Sequence, residues 1–266
     1  MTERVNLSIN DHIAVLELAR PDKMNALDPA MFDGITAAVD SIASNANVRV
    51  VVLAGAGESF CAGLDVASFA AGGATSALER MQPLEGTDAN FYQQPALGLR
   101  RLPVPVIAAL HGVVLGGGLQ IAFGADVRIA APDARFSIME VKWGVVPDMG
   151  MTVTARGVIP ADQLKRLALT GDVIDAPAAL AANLVTEITS EPRERALELA
   201  TIIANRSPDA IQATKALFNR AIDGDTTAAL RDEAETQLGV MGKPNQMEAV
   251  AANFERRAPR FRPASG

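Results

Sequence analysis

Apolar and polar positions alternate with a period of two at the start of the chain. Val5–Ile9 and Ile13–Leu18 carry the pattern of two half-buried strands, with Asn10-Asp11 supplying the turn of a β-hairpin. The period then changes. Asp28-Pro29 opens an amphipathic helix whose apolar positions Met31, Phe32, Ile35, Val39 and Ile42 fall three or four apart and end near Asn45. Val48–Ala54 is an almost unbroken β-branched run, the pattern of a strand buried on both faces. It completes a β-β-α-β unit. Val106–Leu110, Val127–Ala130 and Phe136–Ile138 repeat the short-strand signal. Helical periods follow at Ala161–Leu169, Pro177–Ala182, Arg193–Ala204, Pro208–Ala221, Thr227–Leu238 and Asn245–Arg256. Gly72-Gly73 and the polar stretch to Asn90 read as a mobile insertion, the kind of loop that shapes specificity. The expectation is an α/β core of repeated strand–helix turns over residues 1–200 and a helical module over 201–266. The last helices keep apolar stripes with little chain left to cover them, which predicts packing on a neighbouring subunit.

With 266 residues the chain can bury a generous core. Its net charge of −7 argues against nucleic acid as a partner. The exception is local: Arg256, Arg257, Arg260 and Arg262 form either a solvated terminus or a phosphate clamp. Cys61 is the sole cysteine and the first residues lack an apolar stretch, so a reducing, cytoplasmic setting is expected. Leu102–Ala125 carries no charged side chain, but Pro103, Pro105 and several glycines break it. A membrane span is therefore rejected.

Two segments concentrate the chemistry. Phe60-Cys61-Ala62-Gly63-Leu64-Asp65 and His111-Gly112-Val113-Val114-Leu115-Gly116-Gly117-Gly118 each follow a buried strand. Glycine at a strand end lets the backbone turn tightly and present bare N–H groups. Two such turns on neighbouring strands can aim two amides at one oxygen, as an oxyanion hole does. Leu119–Phe123 then reads as a short helix whose N-terminus adds a positive end. Gly55-Ala56-Gly57 begins a dinucleotide-loop pattern, but Phe60 fills its sixth position and no amphipathic helix opens there. His12 and His111 lack a matching ligand cluster, so they read as loop or packing support, and no metal is expected.

The order of motifs resembles a known family. Arg20-Pro21-Asp22-Lys23-Met24-Asn25-Ala26-Leu27, the two glycine-bearing segments, Phe136-Ser137-Ile138-Met139-Glu140 and the closing Phe254–Phe261 stretch are similar to the enoyl-CoA hydratase/isomerase (crotonase) superfamily. The resemblance spans nearly the whole chain. It implies a spiral of ββα units with a helical trimerisation module, forming a homotrimer or a dimer of trimers. It implies that the amides of Leu64 and Gly117 hold the thioester oxygen of an acyl-CoA as it becomes an enolate. Lys23, Met24, Ala26, Ala62, Gly63, Asp65 and Gly116 would then line the CoA arm and its approach. Phe261 and the C-terminal arginines would lie near CoA, whether of the same or a neighbouring subunit. No separate cofactor is expected, because coenzyme A is part of the substrate.

Hydration in that family resembles a two-glutamate mechanism. One glutamate matches Glu140; the second position is Gln120, which can hold a water but cannot take its proton. Losing one acid–base partner costs about 10²–10⁴ in rate. Glu140 lies among Met139, Val141 and Trp143, a setting that raises a carboxyl's pKa by desolvation. Asp148 follows beyond Gly144 and Pro147, which break any continuous helix and let the chain fold back toward the same cavity. The 143–150 segment resembles family members that shift double bonds. The reading is an acyl-CoA double-bond isomerase using Glu140, with Asp148 as its partner. The alternatives are a hydratase in which Gln120 orients the water, or a non-catalytic scaffold binding CoA or RNA.

Overall fold

The computed structural model describes residues 4–68, 79–222 and 225–264. Strands β1 (Val5–Asn10) and β2 (Ile13–Leu18) pair antiparallel, with Asn10 opposite Ile13. The turn is therefore Asp11-His12, one residue later than the sequence pattern indicated. Both residues take positive φ, 45° and 70°, as a two-residue hairpin requires. Helix α1 (Pro29–Ala43) is capped by Asp28, whose carboxylate accepts from the Met31 amide at 2.9 Å.

From β2 the sheet continues in parallel through β3 (Val50–Gly55), β4 (Val106–Leu110), β6 (Val127–Ala130) and β9 (Glu187–Ile188). A second sheet joins β5 (Val113–Leu115), β7 (Arg135–Ser137) and β8 (Ile174–Asp175). The chain alternates between the sheets, from β4 to β5 and from β6 to β7, which makes the fold an α/β spiral. Alternate side chains of the central strands serve two cores. Val51, Leu53, Ala108 and Leu110 join α1 in the main one. Val50, Val52, Ile107 and Ala109 face helix α7 (Pro192–Ala204) on the other side. There Ala196, Ala200 and Ala204, four residues apart, are small enough to bring the helix close against the sheet.

The remaining helices are α2 (Gln94–Arg101), α3 (Gly117–Ala122), α4 (Met151–Thr154), α5 (Ala161–Thr170), α6 (Ala176–Ala181), α8 (Pro208–Ala221), α9 (Thr226–Val240) and α10 (Pro244–Glu255). Lys215 ties α8 to the sheet, donating to Asp126 at 2.8 Å and to the Val104 carbonyl at 3.0 Å. Helix α9 buries no side chain, and Leu238 on it and Phe254 on α10 are 74% and 86% exposed. The Leu102–Ala125 stretch resolves into β4, β5 and α3. Among the described residues no helix is long and apolar enough to cross a membrane.

The C-terminal tail folds onto its own subunit. Arg49 donates to the carbonyls of Ala204 at 3.0 Å and Phe261 at 2.9 Å. Arg257 is bound to Glu248 at 2.6 Å. Arg49 precedes β3, whereas the Phe60–Asp65 turn follows it. Within one subunit, Phe261 thus lies at the far end of β3 from that turn, not beside it.

Candidate active site

Three stretches of backbone converge after β3. Cys61 donates its amide to the Val113 carbonyl at 3.0 Å, and Leu115 donates back to the Cys61 carbonyl at 3.0 Å. On the other side Ala62 donates to Met24 at 2.9 Å, Leu27 to Gly63 at 2.8 Å and Asp65 to Leu27 at 2.9 Å. The Phe60–Asp65 segment is therefore clamped between residues 24–27 and β5. Gly63 has φ +89°, and a methyl group there would stand 2.8 Å from the Leu115 carbonyl oxygen and 3.6 Å from the Gly117 nitrogen. A methyl on Gly118 would meet the Cys61 carbonyl oxygen at 2.7 Å. The two glycine-bearing turns are in direct contact, and only glycine permits it. Among the described residues, neither the Leu64 nor the Gly117 amide has an acceptor.

Buried side chains hold this junction. Asn25 donates to the carbonyls of Ser59 at 2.8 Å, Ala56 at 2.9 Å and Phe60 at 3.1 Å. Arg20 bonds the Ala26 carbonyl at 3.0 Å and the Asp65 carboxylate at 2.8 Å. Asp65 also accepts from the Ser68 amide at 3.2 Å, so its carboxylate is committed to the loop itself. Lys23 and Met24 are exposed on the outer side, and Ala26 and Ala62 are half-buried beside them. Cys61 is fully enclosed; burial pushes its thiol up to about 12, which makes it a packing group and not a nucleophile. His111 bonds the Gly57 carbonyl at 2.9 Å and His12 the Asn47 carbonyl at 2.8 Å, both as loop supports.

The second turn leads to the carboxyls. Gly116 donates its amide to Ser137 at 2.9 Å, and α3 begins at Gly117. Gln120, in the first turn of α3, points inward and donates to Glu140 Oε1 at 2.6 Å. Its own oxygen accepts from the Met149 amide at 2.9 Å. Glu140 starts a 3-10 turn ending at Trp143 and is 8% exposed. Its Oε2 is buried with no hydrogen-bond partner. A Cβ on Gly116 would lie 3.5 Å from Glu140 Oε1, so the glycine turn and the carboxyl are neighbours. Burial pushes Glu140 above the usual carboxylate range, the Gln120 bond pulls the other way, and the nearby Asp148 charge adds to the rise. Asp148 is itself pushed up by burial. Gln120 thus ties Glu140 to the Met149 amide, and Asp148 lies within electrostatic reach of Glu140.

An α/β spiral that sets one buried glutamate against two touching glycine turns defines an enzyme of the crotonase type. The family model described as enoyl-CoA hydratase/isomerase matches residues 8–263, and the chain belongs to that family. It is 33% identical to (E)-benzylidenesuccinyl-CoA hydratase of Thauera aromatica, over 98% of this chain and 99% of that one. It is 30% identical to the mitochondrial Delta(3,5)-Delta(2,4)-dienoyl-CoA isomerase of Homo sapiens, over 93% and 78% of the two chains. The solved enoyl-CoA hydratase of Mycobacterium tuberculosis H37Rv superposes with a TM-score of 0.86 at 30% identity, covering 98% of this chain and 100% of that one. Hydratases and isomerases stand at similar distance, so acyl-CoA hydratase/isomerase activity is the common ground.

Asn25 and Arg20 hold the junction together, a role that the Arg20–Leu27 motif does not reveal from sequence alone. Polar residues flanking a turn-forming Pro-Asp pair were the available signal.

Proposed function

We propose that this enzyme moves a carbon–carbon double bond in an enoyl- or dienoyl-CoA, with Glu140 as the proton-transferring group. One observation carries the reading: Gln120 has both polar ends engaged, one on Glu140 and one on the Met149 amide. It therefore positions the carboxyl, and as a neutral amide it has no basic group with which to take a proton from water. In the proposed step the free Oε2 of Glu140 takes a proton from the carbon next to the thioester. The C–H pair flows into the carbonyl, and the enolate oxygen rests on the amides of Leu64 and Gly117, each such donor contributing about 2.7–4 kcal/mol. Collapse of the enolate shifts the double bond, and the far carbon receives a proton from Glu140 or from Asp148. Burial keeps both carboxyls easier to protonate than usual, which suits groups that take and return a proton. Only a proton moves, so the reading asks for no cofactor beyond the CoA of the substrate. Lys23, Met24, Ala26 and Ala62 line the proposed CoA approach. The uncovered faces of α9 and α10 are the proposed subunit contacts of a trimer or dimer of trimers.

The test compares 2-enoyl-, 3-enoyl- and 3,5-dienoyl-CoA with the purified protein. Conversion of a 3-enoyl or 3,5-dienoyl substrate, outpacing hydration of the 2-enoyl one, is expected. Rapid hydration of the 2-enoyl substrate that Gln120→Glu leaves unaffected would overturn the reading in favour of a hydratase.

A further inference from the structure

The direction of each glycine-turn amide is set by the carbonyl behind it. In a trans peptide the C=O and the following N–H share one plane and point opposite ways. The Gly116 carbonyl accepts from the Gln120 amide at 3.0 Å, so the Gly117 N–H points out of the start of α3. The Gly63 carbonyl accepts from the Leu27 amide at 2.8 Å, so the Leu64 N–H points away from Leu27. A parallel bridge joins Leu27 and Leu64, and the Asp65 amide closes it on the Leu27 carbonyl at 2.9 Å. A helix aims the Gly117 donor. The Leu64 donor hangs on this one bridge.

Arg20 clasps the bridge at both strands. Its Nη1 donates to the Ala26 carbonyl at 3.0 Å, one residue before Leu27. The same nitrogen meets the Asp65 carboxylate at 2.8 Å, one residue after Leu64. Arg20 is 8% exposed, and its own amide donates to the Asn25 side chain at 2.8 Å, so the residue is fixed at its root as well as its tip. Buried in this way, a charge-assisted contact is stronger than a neutral one. Asp28 lies 3.5 Å from Nη1 but does not depend on it, since it caps α1 through Met31 and pairs with Arg4 at 2.9 Å. Loss of the Arg20 grip therefore frees the turn without uncapping the helix.

We propose that Arg20 is a positioning residue of the oxyanion hole: by stapling Ala26 to Asp65 it keeps the Leu64 N–H aimed at the thioester oxygen. The proposal rests on the acyl-CoA reading above and deepens it. It holds for hydration and isomerisation alike, because both place negative charge on that oxygen. Arg20 acts through the backbone, and a donor misplaced by about 1 Å can cost about a hundredfold in rate. The loss falls on kcat, not on binding.

The carbonyl stretch of butyryl-CoA, labelled with carbon-13 at the thioester carbon, reads the donors directly. This saturated ligand can be neither hydrated nor isomerised. Bound to the wild type, its infrared band should lie at lower wavenumber than in water. Arg20→Met and Asp65→Asn should lose most of that shift and lower kcat about 10- to 100-fold, with butyryl-CoA dissociation constants within about threefold of the wild type. Asp65→Asn keeps the oxygen that accepts from Ser68 and loses only the charged grip on Arg20. Arg20→Lys, which keeps the charge but not the planar fork, should retain part of the shift. Arg4→Met breaks the outer pair to Asp28 and should leave the band at its wild-type position. A full shift retained in Arg20→Met, or an equal loss in Arg4→Met, would overturn the proposal. A wild-type band unmoved from its position in water would instead sink the oxyanion reading itself.

Discussion

Gln120 and Glu140 are joined at 2.6 Å, and the glutamine reaches on to the Met149 amide, so a neutral amide stands between the carboxyl and the loop that carries Asp148. This bond fixes one oxygen of Glu140 and leaves the other, Oε2, without a partner. The pair separates the roles of orientation and proton transfer.

Glu140→Gln should lower kcat by about 10²–10⁴ while acyl-CoA binding is retained, because the proton acceptor is lost and the shape is kept. Steady-state rates and calorimetric affinities for one 3-enoyl-CoA check this. Loss of binding in step with activity would count against a proton-transfer role.

Gln120→Ala should cost roughly 10- to 100-fold in kcat, the worth of one hydrogen bond to a charged group. Gln120→Glu should hurt isomerisation more than Gln120→Ala does, since two adjacent carboxylates cannot both ionise easily. It should also raise the ratio of hydration to isomerisation, measured on the 2-enoyl and 3-enoyl substrates.

The pH dependence follows from burial. Glu140 must be ionised to accept a proton, so kcat/KM should climb with pH through a midpoint above the ordinary glutamate value of about 4.3. Stability moves the opposite way. A carboxyl harder to ionise folded than unfolded costs the fold stability as pH rises from its unfolded value through its folded one. Glu140→Gln should therefore melt above the wild type at neutral pH, and the gap should close in acid. Thermal melts at pH 7 and pH 4 decide the sign.

Gly118→Ala should destabilise the protein by about 1–3 kcal/mol and abolish turnover, because the new methyl strikes Cys61 at the junction of the turns. Gly239→Ala makes the contrast. A methyl there meets nothing within 4 Å on the exposed helix α9, so it should stabilise by about 0.5–1 kcal/mol. Denaturant midpoints measure both.

Arg49→Met should cost about 1.5–3 kcal/mol by releasing the Ala204 and Phe261 carbonyls. Trypsin should then cut earlier after Arg256 or Arg257, as followed by mass spectrometry.

The strands, glycine turns and acid cluster were legible because each leaves a periodic or compositional mark. Val50–Gly55 is apolar on both faces, and the side chains of Gln120 and Glu140 bond directly. Strands β5, β8 and β9 were not seen, being two or three residues long and too short to show a period. Helix α2 hid behind Pro95 and Gly98; the glycine is there because a Cβ would press on Val39 at 3.2 Å. The stacking of Arg80 on Phe91 joins residues in a polar insertion with no repeating pattern, so only the folded chain reveals it. The tail arginines needed the structure too, since composition alone does not say that Glu248 takes Arg257.

Trp143 is the single tryptophan of the chain, three residues beyond Glu140 and 65% exposed on the turn that Glu140 begins. The molecule therefore carries one built-in fluorophore beside its own reaction centre. Its emission colour and quenching report on whatever approaches that turn, be it thioester or companion chain, without any dye being attached.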